Sequence, residues 1–400
     1  NKYEITLTGK TFDLSTLPTG FDVSKASDWT NATVKGNILT VEDITKEVTY
    51  KYGCGNKIAK KFTLIPQIAE TPVETSTAPK TTTTATTTKT APKATTTTTT
   101  AKEEITGLEI NETNFPDPVF RQYLAENFDK NKDGRLSDKE IAYVTEIEVD
   151  SMGISDLTGI ENFKKLSILY CSYNNLTTLD LSNCTALKNL SCGHNQLTSL
   201  DISNCTDLRN LSCGHNQLTS LDLSKNTALS DLGCEYNQLT SLDVSGCIDL
   251  KQLSCYDNQL TTLDVSNCSA LTNLSCNDNQ ITSLDVSNNS ALSFLQCRFN
   301  NLTSLDVSNN PELRFFTCYG NQLTSLDVSK NTALTNLGCS DNQLTSLDVS
   351  NNTALKFLSC SGNQLTSLDV SGCIALNELY CYNNQLTSLD VSKNTALTDL

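Results

Sequence analysis

Basic residues are scarce in this chain and never gather into a run. Only 29 Lys and Arg stand against 45 Asp and Glu, which leaves a net charge of -16 over 400 residues. Nucleic acid and anionic membrane both need cationic neutralisation, so neither is an expected partner. No stretch approaches the roughly 18 consecutive apolar residues of a spanning helix, and no membrane insertion is expected. Asn1 does not open a signal-peptide pattern. The chain starts in what reads as a strand and stops at Leu400 inside a repeat, so a fragment of a longer protein is expected. Histidine is rarer still, with His194 and His215 the only two. Nothing places a nucleophile and an orienting group beside them, so the residues give an enzyme no support.

Cysteine is what the chain has in plenty, 17 in all. That number normally suggests a disulfide framework, but the positions argue otherwise. Cys171, Cys192, Cys213, Cys234, Cys255, Cys276, Cys297, Cys318, Cys339, Cys360 and Cys381 stand 21 residues apart without a break. So regular a period marks a packing position, which free cysteine fills as a small hydrophobe. Buried thiols of this kind suit a low-oxygen habitat.

Composition divides the chain into three regions. Residues 1–66 carry short β-rich runs at Tyr3–Leu7, Ile38–Val41, Val48–Tyr52 and Lys61–Ile65, separated by Gly, Asp and Asn turns. They predict a small sandwich-like β-domain. Its lone Cys54 has no nearby histidine to activate it and is read as structural. Residues 67–104 are dominated by Thr with Ala, Lys and Pro, a composition that buries nothing and predicts a disordered linker. Residues 105–165 precede the repeats, which fill 166–400.

The repeat unit, aligned from Leu166, is Leu-x-x-Leu-x-Cys-x-x-Asn-x-Leu-x-x-Leu-Asp-Val-x-x-Asn/Cys-x-Ala. It restarts at Leu187, Leu208, Leu229, Leu250, Leu271, Leu292, Leu313, Leu334, Leu355 and Leu376, and Leu397 opens one more. One unit is too small to bury its own Leu, Cys and Val, so the coils must stack into a continuous core. Alternation in Leu169-Tyr170-Cys171 predicts a strand, and the same alternation in Leu179-Asp180-Leu181 predicts a second. Two parallel strand stacks per coil are therefore expected. Asn174, Asn195 and Asn216 lie where the chain leaves the first strand, and their side chains are expected to bond neighbouring coils. A matching position in the second half holds Asn226, Asn289, Asn310, Asn331, Asn352 and Asn394, or else Cys184, Cys205, Cys247, Cys268 and Cys373.

This unit resembles the nested 21-residue leucine-rich repeat, the IRREKO type, of bacterial secreted and surface proteins. Ile147-Glu148-Val149 through Gly153-Ile154 and Leu157-Thr158-Gly159-Ile160 resembles an internalin-type repeat serving as the first coil. The resemblance covers roughly residues 108–400. It implies a leucine-rich-repeat solenoid of the α/β horseshoe class, mostly parallel β, with a small helical cap. It also implies extracellular binding at a bacterial surface, and it names no ligand. Residues 1–66 resemble the β-module that follows such arrays, which would place another array before Asn1.

Before the first coil, Asp129-Lys-Asn131-Lys-Asp133-Gly134-Arg135-Leu136-Ser137-Asp-Lys-Glu140 matches an EF-hand loop. Asp129, Asn131 and Asp133 supply oxygens at positions 1, 3 and 5, and Gly134 supplies the sharp turn. Arg135 would give its carbonyl, Ser137 a water-mediated contact and Glu140 the bidentate carboxylate. Hard oxygens at this spacing suit Ca²⁺ better than a transition metal, and one site is expected. The alternative is a hairpin that keeps the shape without the ion, as caps of internalin-like proteins resemble. A dockerin would need a second loop, and the chain has one.

Comparing the units with one another separates two faces. The first-strand face varies and carries Tyr170, Tyr173, His194, His215, Tyr236, Tyr256, Phe294, Arg298, Phe299, Phe315, Tyr319, Tyr380 and Tyr382. Aromatics with an arginine are what binding faces use, and Phe294, Arg298, Phe299, Phe315 and Tyr319 are expected to form one cluster. Phe316 replaces a core leucine and is read as packing. The two histidines should face each other across coils; relaxed surface variation and a paired metal site are the two readings. The other face repeats Asp180, Asp201, Asp222 and their equivalents to Asp390, whose mutual repulsion serine hydroxyls or bound cations must offset. The expected function is adhesion or recognition of a protein or carbohydrate ligand by a monomer. The alternative is a structural spacer displaying other domains.

Overall fold

The computed structural model describes residues 2–7, 11–13, 26–35, 38–41, 48–54, 57–68 and 107–399. The chain divides into two compact units, Asn1–Thr99 and Thr100–Leu400. The expected Thr-rich linker at 67–104 lies outside the described residues, except Gln67 and Ile68 at the end of a strand.

The first unit is all β. Lys2–Leu7 runs parallel to Lys57–Ile68, which pairs antiparallel with Val48–Cys54 and through it with Ala26–Thr30. Thr11–Asp13, Ile38–Val41 and Ala32–Lys35 form a second, antiparallel sheet. Ala32, Leu39 and Val41 are buried, and Thr33 and Thr40 between them are exposed, the alternation a one-sided sheet requires. All four expected runs are strands. Three more, at Thr11–Asp13, Ala26–Thr30 and Ala32–Lys35, lacked a long enough apolar alternation to stand out.

The second unit is a stack of coils on one parallel sheet. Its 12 strands follow one another in chain order from Glu146–Glu148 to Glu378–Tyr380. Each is three residues long and pairs with its successor without slip: Asn189 with Asn210, Leu190 with Leu211, Ser191 with Ser212. A slip of one residue would turn every inward leucine to solvent, so the leucine period fixes the register. In the coil from Leu187, the residues Leu187, Leu190, Cys192, Leu197, Leu200, Ile202 and Cys205 are all buried, and this core continues from coil to coil. Phe316 is fully buried in the slot where other coils place leucine.

Only one strand stack forms, which corrects the expectation of two. Leu179-Asp180-Leu181 and its equivalents carry no strand. Asp180 turns its carboxylate onto the amide of Ser182 at 2.9 Å, and the chain then closes a tight turn, with the Cys184 amide donating to the Leu181 carbonyl. A side chain that captures a nearby backbone amide competes with a ladder bond. The alternation read there is inward packing of Leu179 and Leu181 along a bent segment.

Asparagine replaces the missing ladder. Asn195 accepts from the Leu176 amide at 2.9 Å and donates to the carbonyls of Cys171 and Cys192, each at 3.0 Å. It therefore ties its own coil to the one before. The second asparagine series differs. Asn310 donates to the carbonyls of Val286 and Asn289 at 3.0 and 2.9 Å, while its own oxygen is buried with no partner. Cysteine in the same slot donates only, as Cys205 does to the Cys184 carbonyl at 3.7 Å, and leaves no orphan acceptor. That is the physical basis of the Asn/Cys exchange.

The helix Pro118–Asn127 and the short helix Asp138–Tyr143 cap the first coil with Phe115, Phe120, Leu124 and Leu136 buried. Asp117 caps the longer helix by accepting from the amides of Val119 and Phe120, and its other oxygen accepts from Ser155 in the first coil at 2.9 Å. One carboxylate thus starts the helix and ties it to the solenoid.

Candidate binding face

Each strand offers two side chains outward, its first and its third, because the middle residue is the core leucine. The first-residue row reads Asn189, Asn210, Asp231, Gln252, Asn273, then Phe294 and Phe315. The third-residue row reads Tyr170, Ser191, Ser212, Gly233, Ser254 and Ser275. Small polar residues between Tyr170 and Phe294 leave a shallow groove of about 690 Å³ across these coils, with Glu235 on its lining. Comparison of units had marked the rows but not the groove, because a depression comes from missing volume at Ser and Gly, which attract no notice singly.

The aromatic residues separate into distinct groups. Phe294 and Phe315 stack at 4.7 Å on the first-residue row. Phe299 meets Tyr319 edge-on at 5.1 Å, and Arg298 lies over the Tyr319 ring at 5.4 Å while donating to its hydroxyl. Arg298 stands four positions beyond Phe294 and past the end of the strand, up to about 13 Å along the chain. The expected single cluster is therefore two, one at each end of the strand. Tyr380 tilts against Phe357 at 5.8 Å, and Tyr382 is exposed.

A third group follows the strands. Tyr173, His194, His215 and Tyr236 stack in register, with ring centroids 4.1, 3.9 and 4.1 Å apart, and Tyr256 meets Tyr236 edge-on at 5.2 Å. All four stacked residues have positive φ, between 51° and 57°, as has Phe299 at 50°. Other coils use Asp, Asn or Gly at this position, as at Asp257, Asp278, Gly320 and Asn383. Bulky side chains are uncommon in the left-handed region, and such backbone persists where the surroundings hold it in place. Here the holding contacts are the amide ladder, with His194 donating to the Gly214 carbonyl at 2.9 Å, and the stacking itself. Burial and the neighbouring imidazole of His215 lower the His194 pKa.

The acidic face is ordered by serine. Every aspartate from Asp180 to Asp390 accepts from the amide of the serine two residues on, as Asp285 does from Ser287 at 2.9 Å. The Ser287 hydroxyl and amide hold the Asp285 carboxyl below its ordinary value.

In the cap loop, Asp129 accepts from the amides of Asp133 and Gly134, and Asp133 from that of Arg135. Gly134 has φ +79°, the left-handed turn its position demands. Glu140 accepts from the amides of Lys130 and Ser137 and from the Ser137 hydroxyl, which lowers its pKa and forms a capping box. Asn131 accepts from the Asp133 amide and donates to its carboxylate. The loop gathers hard oxygens only, the donor chemistry of calcium. Among the described residues no three His, Cys, Asp or Glu side chains converge as a metal group, and that includes the two histidines.

Comparison with known proteins gives consistent likenesses. The family model for leucine-rich repeats in two copies matches residues 185–233 and 353–400. The functional domain of InlJ from Listeria monocytogenes, described as including a cysteine ladder, is 36% identical, with a TM-score of 0.58 over 74% of this chain and 75% of that one. InlF, an internalin of the same species, is 25% identical with a TM-score of 0.69, over 74% of this chain and 92% of that one. A leucine-rich-repeat protein of Leptospira interrogans is 28% identical with a TM-score of 0.57, over 60% of this chain and 67% of that one. Internalin J of L. monocytogenes serotype 4b is 39% identical over 71 residues, which span 18% of this chain and only 8% of that protein.

Proposed function

The chain belongs to the internalin-like leucine-rich-repeat proteins of bacteria, and from that premise we propose that its solenoid is an extracellular recognition module gripping a protein or glycan with its strand face. The observation that carries this reading is the polar groove lined by Tyr170 and Phe294 on the outward face of the sheet. Aromatic rims around a polar floor supply contact area and directional bonds together. The opposite face repeats one Asp-x-Ser turn in every coil and offers no such variation.

A binding screen against extracellular proteins and an arrayed glycan set tests it, run on the wild type and on a Phe294→Ala/Phe315→Ala double variant. A ligand whose affinity falls at least about tenfold in the variant supports the face. A spacer predicts that the same substitutions change nothing, and that result removes the proposal.

We further propose that the cap loop takes one calcium ion, held by Asp129, Asn131, Asp133, the Arg135 carbonyl, Ser137 and Glu140. Bound there, the ion would cross-link the loop and stabilise the cap that seals the first coil. Thermal unfolding of the whole chain with calcium and with chelator checks this, with Glu140→Gln as the control. A calcium-dependent rise in Tm that Glu140→Gln abolishes is the expected result; equal Tm in calcium and chelator removes the ion.

A further inference from the structure

Within the groove one carboxylate stands in space made for it. A Cβ added to Gly214 would lie 2.6 Å from Oε1 of Glu235, and one added to Gly233 would lie 3.1 Å from its Oε2. Any larger residue at these two positions would crowd the Glu235 side chain out of its place. The Oε2 atom is nonetheless buried with no hydrogen-bond partner. The one ion pair among the described residues joins Arg135 to Glu109, far off in the cap sequence. A desolvated carboxylate oxygen without a donor is costly, so a donor supplied by a ligand at this place would be stabilising.

The surroundings say what that partner is. Asp231 lies on the same coil, on the other side of Gly233, and spends one oxygen on the Asn210 amide and the Ser230 hydroxyl. Both acids line the groove and no Lys or Arg does. A sugar ring would need an open aromatic face to stack on. Here His194 and His215 cover each other's faces and one face each of Tyr173 and Tyr236, so the interior of the stack turns edges outward. The Glu235 charge also reaches that stack, where it opposes the lowering of the His194 pKa by burial and by His215.

We propose that Glu235, with Asp231 on the same coil adding negative charge, forms a receptor for the guanidinium of a basic segment of a protein ligand. A planar five-donor cation can meet the Glu235 carboxylate with two parallel bonds, which a point charge cannot. The inference deepens the strand-face reading above and rests on it.

Calorimetric titration of the full chain with acetyl-tetra-arginine amide tests it, against the tetra-citrulline peptide as a neutral isostere, at low salt. The ring signals of His194 and His215 report in NMR whether binding occurs at this place. The arginine peptide should bind with one-to-one stoichiometry and shift both imidazoles, with citrulline at least about tenfold weaker. Glu235→Gln should cost the arginine peptide a similar factor, whereas Asp306→Asn/Asp327→Asn on the other face should cost nothing. Equal binding by Glu235→Gln, or binding that leaves the imidazoles unmoved, overturns the proposal. So does chitotriose shifting the same signals when the arginine peptide does not. If a ligand is lost with Phe294→Ala/Phe315→Ala but kept with Glu235→Gln, the strand face stands and only the cation receptor falls.

Discussion

The imidazoles of His194 and His215 stack with centroids 3.9 Å apart and planes 15° from parallel. Two such rings cannot both gain a proton cheaply, and burial adds to the penalty at His194. The folded pKa of His194 therefore falls below the ordinary 6.5, while the unfolded chain keeps that value. As pH drops from above 6.5 towards the lowered value, the unfolded state binds the proton first, so stability declines across that window and levels off below it. An NMR titration should show His194 changing charge below 6.5, and His215→Gln should move it back upwards. A His194 midpoint unchanged by His215→Gln would show that the pair does not couple.

The two asparagine series should answer differently to substitution. Asn195→Ala strips the Leu176 amide and the Cys171 and Cys192 carbonyls of their partner inside the core. Leaving such groups unsatisfied costs on the order of 2–4 kcal/mol. Asn310→Cys should cost under about 1 kcal/mol, because the thiol keeps a donor and removes the orphan oxygen. Urea denaturation of the two variants, compared by midpoint at matched slope, decides. Equal losses would mean that cysteine does not replace the asparagine donor.

How far the chain could be read in advance depended on what repeats. The leucine and cysteine period fixed coil number, core membership and register, because each inward slot recurs with the same volume requirement. Leu179-Asp180-Leu181 misled, since alternation in hydropathy does not reveal that Asp180 will take the Ser182 amide. The varying strand face was legible from the repeats. Its groove was not, because Gly214 and Gly233 matter through the side chains they lack. The splitting of Phe294 from Arg298 likewise followed from where the strand ends, after Gln296, which period alone does not mark.

The aspartate face predicts acid sensitivity. The Asp201, Asp222, Asp243, Asp264, Asp285, Asp306, Asp327, Asp348, Asp369 and Asp390 carboxyls are each held below 3.8 by bonds from the following serine. Folded values below unfolded ones mean that the contribution is complete above 3.8 and is lost as pH falls through the folded values. Melting temperature should therefore fall steeply below about pH 4. Asp285→Asn/Asp306→Asn/Asp327→Asn should blunt that fall, since an amide oxygen still accepts from serine and has no proton to gain. An unaltered pH profile in the triple variant would place the acid sensitivity elsewhere.

Thiol chemistry separates the interior of the ladder from its end. Burial pushes the Cys276, Cys318 and Cys360 thiols up to about 12, so almost no thiolate exists at neutral pH. Cys381, in the last full coil, is only partly buried, and burial raises its pKa as well. Reaction with iodoacetamide needs both thiolate and access. Of the 16 cysteines of the solenoid, Cys381 alone is not buried, and among them it should be alkylated first. The other 15 should react only when the solenoid opens, at a rate that follows unfolding. Because each coil stacks only on its neighbours, protection should be lost coil by coil, and peptide mapping should show adjacent cysteines of the array labelled together before distant ones. Simultaneous labelling of Cys276 and Cys360 would instead mean that the whole array unfolds as a single unit.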